Sequence, residues 1–165
     1  RRVAVITAPG GIAVTAADAC IRLGLEMPRL SEESQSQLAN LIGTLGTNLK
    51  NPVDLGPMGA MAAEKYVNEA MRIVARDENV DMLLISFIGS RTTDDDKDAK
   101  SAAALLAAIR EGGKPTVFSG ATLMGWDRGE LKFLHQSNVP VYPEARRAAF
   151  ALSTLARYSE FSRSA

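Results

Sequence analysis

A chain of 165 residues with 19 Lys plus Arg against 19 Asp plus Glu carries no formal net charge. That excludes a basic surface for nucleic acid or anionic lipid as its main binding device. With 46% apolar and 23% charged residues the composition is that of a folded domain rather than a disordered segment, and the length suits one domain.

No apolar run approaches the roughly 18 residues of a membrane-spanning helix. The single cysteine, Cys20, has no partner for an internal disulfide, which fits a reducing compartment and a cytoplasmic location. The chain starts at Arg1 without a methionine or a signal-peptide pattern, as a piece of a longer polypeptide would.

Val3 to Thr7 is a short β-branched run ending at Ala8-Pro9-Gly10-Gly11, the pattern of a buried strand that stops in a tight turn. Ile12 to Leu23 reads as a helix with a small-residue face of Ala13, Ala16, Ala17 and Cys20, stopped by Gly24. An extended piece at 25–30 follows, then a helix capped by Ser31 and running to about Ile42. Residues 43–59 are polar and rich in Gly, Pro and Asn, so they read as a long loop.

Ala62 to Ala75 has apolar residues at 3-4 spacing on one face and reads as a helix. Met82 to Ile88 is the most apolar run, a central strand, and Asp94 to Ile109 is a helix with Asp94, Asp95 and Asp96 in its first turn. Pro115 to Ser119 is the next strand, 127–136 a helix, Val139 to Tyr142 a short strand, and the last helix runs from Pro143 to about Tyr158, leaving 159–165 as a frayed tail or linker. Strand and helix alternate with about five strands, which predicts a single α/β domain over 1–158: a mainly parallel sheet with helices on both faces. Ligands of such sheets sit beyond the carboxyl ends of the strands, so the loops at 8–11, 51–59, 89–93 and 119–126 are the ones to watch.

The strongest local signal is the strand, the glycine pair Gly10-Gly11 and the helix that follows. A helix start offers unpaired N–H groups and a partial positive charge, a place for a phosphate or another anion. It is neither a dinucleotide fingerprint nor a Walker loop, because G-x-G-x-x-G and Gly-Lys-Ser/Thr are both absent. A tight turn with no ligand explains the glycines equally well by composition.

Asn51-Pro-Val-Asp54 sets an amide near a carboxylate, and its spacing favours an Asx-type turn over a ligand role. Gly89-Ser90 ends the central strand, but the three aspartates after it would repel an anion there. His135, the only histidine, falls at the amino end of a strand and reads as structural. Cys20 reads as core. The sequence offers no catalytic residue of its own, no metal cluster, and no nucleophile with a base, so the domain reads as one wall of a site.

Several segments in order resemble the nucleoside-diphosphate-forming acyl-CoA synthetases, relatives of succinyl-CoA synthetase. They are Arg2-Val-Ala-Val-Ile-Thr7 with Gly10-Gly11, Gly24-Leu-Glu-Met-Pro28, Asn51-Pro-Val-Asp-Leu55, Asn79-Val-Asp81, Gly113-Lys-Pro115 and Asn138-Val-Pro-Val-Tyr142. The resemblance covers nearly the whole chain. It implies a flavodoxin-like three-layer sandwich, the ligase domain equivalent to the carboxy-terminal domain of the succinyl-CoA synthetase β subunit.

The family couples an acid, CoA and a nucleoside triphosphate to an acyl-CoA, a nucleoside diphosphate and phosphate. By the resemblance, Gly10, Gly11, Ile12 and Ala13 would help stabilise a phosphohistidine carried by another domain, and Asn51, Asp54, Gly89 and Ser90 would lie on neighbouring loops. CoA and ATP or GTP with Mg would be bound mainly by other domains. The implied partners are a phosphohistidine-bearing ligase domain, a CoA-binding domain and an ATP-grasp domain, in the same chain or a partner subunit, with an oligomer possible. Two departures stand out: Ala13 where the family usually has another glycine, and Gly89-Ser90 where it often has a glycine pair. They favour, as an alternative, a non-catalytic regulatory module of a protein lysine acetyltransferase. A free-standing flavodoxin-like binding domain is a third reading.

Overall fold

The structure is a computed structural model that describes residues 1–8, 10–56, 64–86, 95–120 and 129–164, without the side chains of 64–65, 95–98 and 129–131. Its centre is β1 (Val3–Thr7), in which every residue is buried. A strand buried on both faces has to be apolar throughout, as this one is up to Thr7.

On one side β1 pairs with β3 (Met82–Ser86) over its full length, from Val3↔Met82 to Thr7↔Ser86. Beyond β3 lie β4 (Thr116–Ser119) and β5 (Val141–Tyr142). On the other side β1 meets the edge strand β2 (Val53–Asp54). The five strands are all parallel, in the order β2-β1-β3-β4-β5. The expected parallel α/β architecture is therefore the observed one.

The helices divide between the two faces by the alternation of side chains along each strand. Ala4, Ile6, Leu83, Ile85 and Phe118 face α2 (Glu32–Ile42), α3 (Glu64–Arg76), α4 (Asp95–Arg110) and α5 (Gly129–Gln136), through residues such as Leu38, Met71, Ile109 and Leu134. Val3, Val5, Leu84 and Val117 face α1 (Gly10–Arg22) and α6 (Ala145–Ser164). Ala16, Ala19 and Cys20 of α1 share a core with Ala148, Ala149, Leu152 and Ala156 of α6; small residues let the two helices approach closely on the sheet. Ser153 fastens them, its Oγ donating to the Leu23 carbonyl at 2.8 Å.

The elements differ from the sequence expectation in three places. The extended piece at 25–30 is not a strand; it makes one bridge, Arg2↔Glu26, and is held by the buried side chains of Leu25 and Leu30. The fifth strand lies instead inside the segment read as a loop, at Val53–Asp54. Two residues are too few to show a period of two. The last helix runs to Ser164 and not to a frayed tail after Tyr158. Glu160 in that added stretch accepts from Nε and Nη2 of the Arg1 guanidinium, each at 2.5 Å, an exposed pair that adds little stability but meets the helix where it leaves the core.

The short β2 leaves most of one edge of β1 without a strand, and a side chain completes it. Asn51 Nδ2 donates to the carbonyls of Val3 and Pro28, both at 2.9 Å, and its Oδ1 accepts from the Val5 N–H at 3.1 Å. Replacing Asn51 by Ala strands these three part-buried backbone groups. The expected loss is about 3 kcal/mol, at 1–3 kcal/mol for each unsatisfied group with some recovered by water. A urea midpoint that falls with an unchanged slope checks this.

Candidate functional site

The sheet order reverses at β1: the chain goes out from β1 to the edge strand β2 and returns to the other side of β1 for β3. In a doubly wound sheet the crevice at such a point, beyond the carboxyl ends of the strands, is the ligand position. α1 begins here, three residues after the end of β1. Its first-turn N–H groups have no helical carbonyl to bind.

Gly10 and Gly11 are exposed, Ile12 is half-buried and Ala13 is buried in the core. The two glycines differ. A Cβ on Gly10 would stand 2.7 Å from Asp54 Oδ2, whereas a Cβ on Gly11 would meet no described atom within 4 Å. A side chain on Gly10 would thus crowd Asp54, and one on Gly11 would crowd no described residue.

Asp54 makes a turn of its own with the residues after it, Oδ1 accepting from the Gly56 N–H at 2.9 Å. Its second oxygen lies over Gly10, so a carboxylate stands beside the start of α1. Asn51 does not join the site: its amide is committed to the backbone of β1 and Pro28. Gly89 and Ser90 lie outside the described residues, as do Asp94 and most of the loops at 89–93 and 119–126.

His135 is an exposed residue at the end of α5, close to the turn that enters β5, so it belongs to the amino edge of the sheet. Cys20 is fully buried, and burial pushes its thiol up to about 12, which leaves it without thiolate character at neutral pH. Among the described residues no three His, Cys, Asp or Glu side chains come together to hold a metal. No helix among them is long and apolar enough to cross a membrane.

Sequence reasoning missed a row of polar side chains across the carboxyl edge. Asp54, Thr7, Ser86, Ser119 and Tyr142 are register partners from one side of the sheet to the other. The three hydroxyl residues in the middle are all buried. The signal was present: a hydroxyl residue closes each of the apolar runs at 3–7 and 115–119 and interrupts the run at 82–88.

A five-stranded parallel sheet with a glycine-started helix at its crossover defines an α/β three-layer domain. Residues 3–165 match the Ligase-CoA domain family, and the chain belongs to that family. It is 32% identical over 161 residues to the ADP-forming acetate–CoA ligase I of Archaeoglobus fulgidus, which covers 96% of this chain and 21% of that protein. It is 29% identical over 160 residues to the alpha subunit of the ADP-forming acetate–CoA ligase I of Pyrococcus furiosus, covering 96% and 33%.

The fold matches that of PH0766 from Pyrococcus horikoshii with a TM-score of 0.76 at 24% identity, over 93% of this chain and 34% of that one. It also matches a dinucleotide-forming acetyl-coenzyme A synthetase 1 of Ca. Korarchaeum cryptofilum, solved with phosphate and ADP, with a TM-score of 0.71 at 23% identity, over 96% and 33%. The chain therefore spans between one fifth and one third of the relatives it matches.

The contact between Gly10 and Asp54 is testable by a double-mutant cycle. Gly10→Ala alone is expected to lose about 1–2 kcal/mol by crowding a carboxylate whose other oxygen is tied to Gly56. In an Asp54→Ala background the same change should cost nothing or help, because alanine favours the helix over glycine by up to about 1 kcal/mol. Chemical denaturation of the four proteins checks the coupling.

Proposed function

We propose that this chain is the ligase domain of a nucleoside-diphosphate-forming acyl-CoA synthetase, and that the start of α1 stabilises a phosphohistidine presented by another domain. The reaction is acid plus CoA plus nucleoside triphosphate giving acyl-CoA, nucleoside diphosphate and phosphate. The observation that carries the reading is the open α1 start at the crossover of the sheet, in a chain that belongs to the Ligase-CoA domain family over residues 3–165.

In this reading the N–H groups of Gly11 and Ile12 bond the phosphoryl oxygens from the unobstructed side. Gly10 provides no room on its own side, because Asp54 stands there. A helix start stabilises an adjacent anion by about 0.3–1 kcal/mol when exposed and up to about 2 when partly buried. Two unit charges 4 Å apart repel by about 1 kcal/mol in water and about 4 at an effective dielectric constant of 20. Asp54 therefore offsets much of what α1 offers, and one helix start is a weak anion holder. A second helix start, from the domain that carries the histidine, supplies the remainder on this account.

Nucleotide with Mg, and CoA, are held by the other domains. This chain's share is to orient a phosphoryl group and to keep Asp54 on one side of it. The exposed Phe150, Tyr158 and Phe161 on α6, with Val14 and Ile21 on α1, support contact with such domains, since apolar side chains grouped on helices mark interaction surfaces. The regulatory reading gains no observation: Ala13 serves packing in this structure, and the relatives that match are named as ligases.

The test uses the complete synthetase that contains this chain, incubated with radiolabelled ATP. An acid-labile, base-stable phosphoryl label is the expected product, the stability pattern of a phosphohistidine. Gly11→Val should reduce that label by tenfold or more while the unfolding temperature changes little, since the side chain enters open space. Equal labelling of the variant and the parent would remove α1 from the mechanism.

A further inference from the structure

The last helix is apolar on two faces. Ala148, Ala149, Leu152 and Ala156 of α6 are buried in the core that it shares with α1. Phe150, Tyr158 and Phe161 are instead 61%, 68% and 71% exposed. At about 100° per residue, Arg147, Phe150, Thr154, Tyr158 and Phe161 fall within one stripe roughly 80° wide, opposite the buried face. A helix that is apolar on opposite faces is covered on both.

The middle of the stripe is suited to being covered. Thr154 is exposed, yet its Oγ1 donates to the Phe150 carbonyl at 2.9 Å. The hydroxyl proton is thus satisfied within the helix, and burying Thr154 leaves no donor unmet. A groove of about 1140 Å³ runs along this face, with Tyr142, Arg147, Phe150, Leu155 and Tyr158 among its walls.

The order of side chains in the stripe is symmetric. Phe150 and Tyr158 lie four residues either side of Thr154, and Arg147 and Phe161 lie seven either side. A two-fold interface presents one patch to its own copy, so the patch has to be self-complementary. Laid antiparallel about an axis at Thr154, two copies of α6 bring Phe150 level with Tyr158 and Arg147 level with Phe161, each pair occurring twice. Aromatic pairs attract, and so do an arginine and a ring face. The smallest side chain of the stripe falls at the axis, where the two helices approach most closely. Charge selects the direction. Laid parallel, Arg147 and Arg157 would each meet their own copy, and like charges in contact repel; laid antiparallel, Arg157 is level with Ala151.

The area is of the right order. A whole aromatic side chain buries about 150–250 Å², so three rings exposed to this degree offer roughly 400 Å² per copy, about half of the ~800 Å² per partner in a stable interface. The groove walls and the flanking arginines are available for the rest.

We propose that α6 pairs antiparallel with α6 of a second copy of this chain, about a two-fold axis at Thr154. The contact that Phe150, Tyr158 and Phe161 support in the reading above is thereby assigned to a second copy, and Val14 and Ile21 of α1 are left to the other domains. The proposal does not depend on the phosphoryl reading of α1.

The test is analytical ultracentrifugation of the 165-residue chain from micromolar to millimolar concentration. The parent should pass from 17.6 kDa to twice that mass. Phe150→Arg and Tyr158→Glu should each weaken the dimer by about tenfold or more, since buried aromatic side chains carry much of an interface's affinity. The unfolding temperature of the dilute monomer should stay unchanged in both. An equal mixture of the two variants should dimerise again, because the introduced arginine of one meets the introduced glutamate of the other while the native Phe150 and Tyr158 form the second pair. A parent that stays monomeric throughout would overturn the proposal and give the stripe to another domain of the synthetase. A dimer indifferent to Phe150→Arg, or two monomeric variants whose mixture stays monomeric, would overturn it as well.

Discussion

One asparagine side chain holds the edge of the central strand. Asn51 pairs with β1 through an amide that accepts from Val5 and donates to Val3, much as a neighbouring strand would. The chain then needs only Val53 and Asp54 in the ladder before it turns away at Gly56. Because the register is set at Ile6↔Val53 and Thr7↔Asp54, the carboxylate of Asp54 arrives beside the first residue of α1. The site geometry follows from that short edge: a side chain on Gly10 would crowd Asp54, and one on Gly11 would meet no described atom within 4 Å.

The carboxyl edge is electrostatically lopsided. Asp54 stands on one side of α1, and the neutral hydroxyls of Ser86 and Ser119 stand on the other. A helix start flanked by a carboxylate attracts anions only feebly. On the proposed reading an anion would sit away from Asp54, where the repulsion is weaker. A domain so arranged suits a site shared with another domain, where a transient phosphoryl group is positioned and then released. This agrees with a chain that accounts for a third or less of the relatives it matches.

The architecture was legible because its signals are strong and local. β1 and β3 are unbroken apolar runs, Gly24 stops α1, and Ser31 caps α2 by accepting from the Ser34 N–H at 3.2 Å. The glycine pair at 10–11 opens α1 at the carboxyl edge of the sheet. Other features are tertiary and left little local trace. A two-residue strand has no periodicity, so β2 was hidden in a polar segment. The role of Asn51 depends on Pro28 and β1 meeting it from 23 and 46–48 residues away. The division of labour between Gly10 and Gly11 appears only once Asp54 is placed. The hydroxyl row needs the register of four strand pairs before its members align.

The central claim is that the start of α1 takes a phosphoryl group from the Gly11 side. The most direct measurement is a crystal structure of the complete synthetase trapped in its phosphorylated state. The account predicts phosphoryl oxygens about 3 Å from the N–H groups of Gly11 and Ile12, with Asp54 still against Gly10 on the far side. A phosphorylated residue seated at another part of the domain, with the first turn of α1 bonded only to solvent, would contradict it.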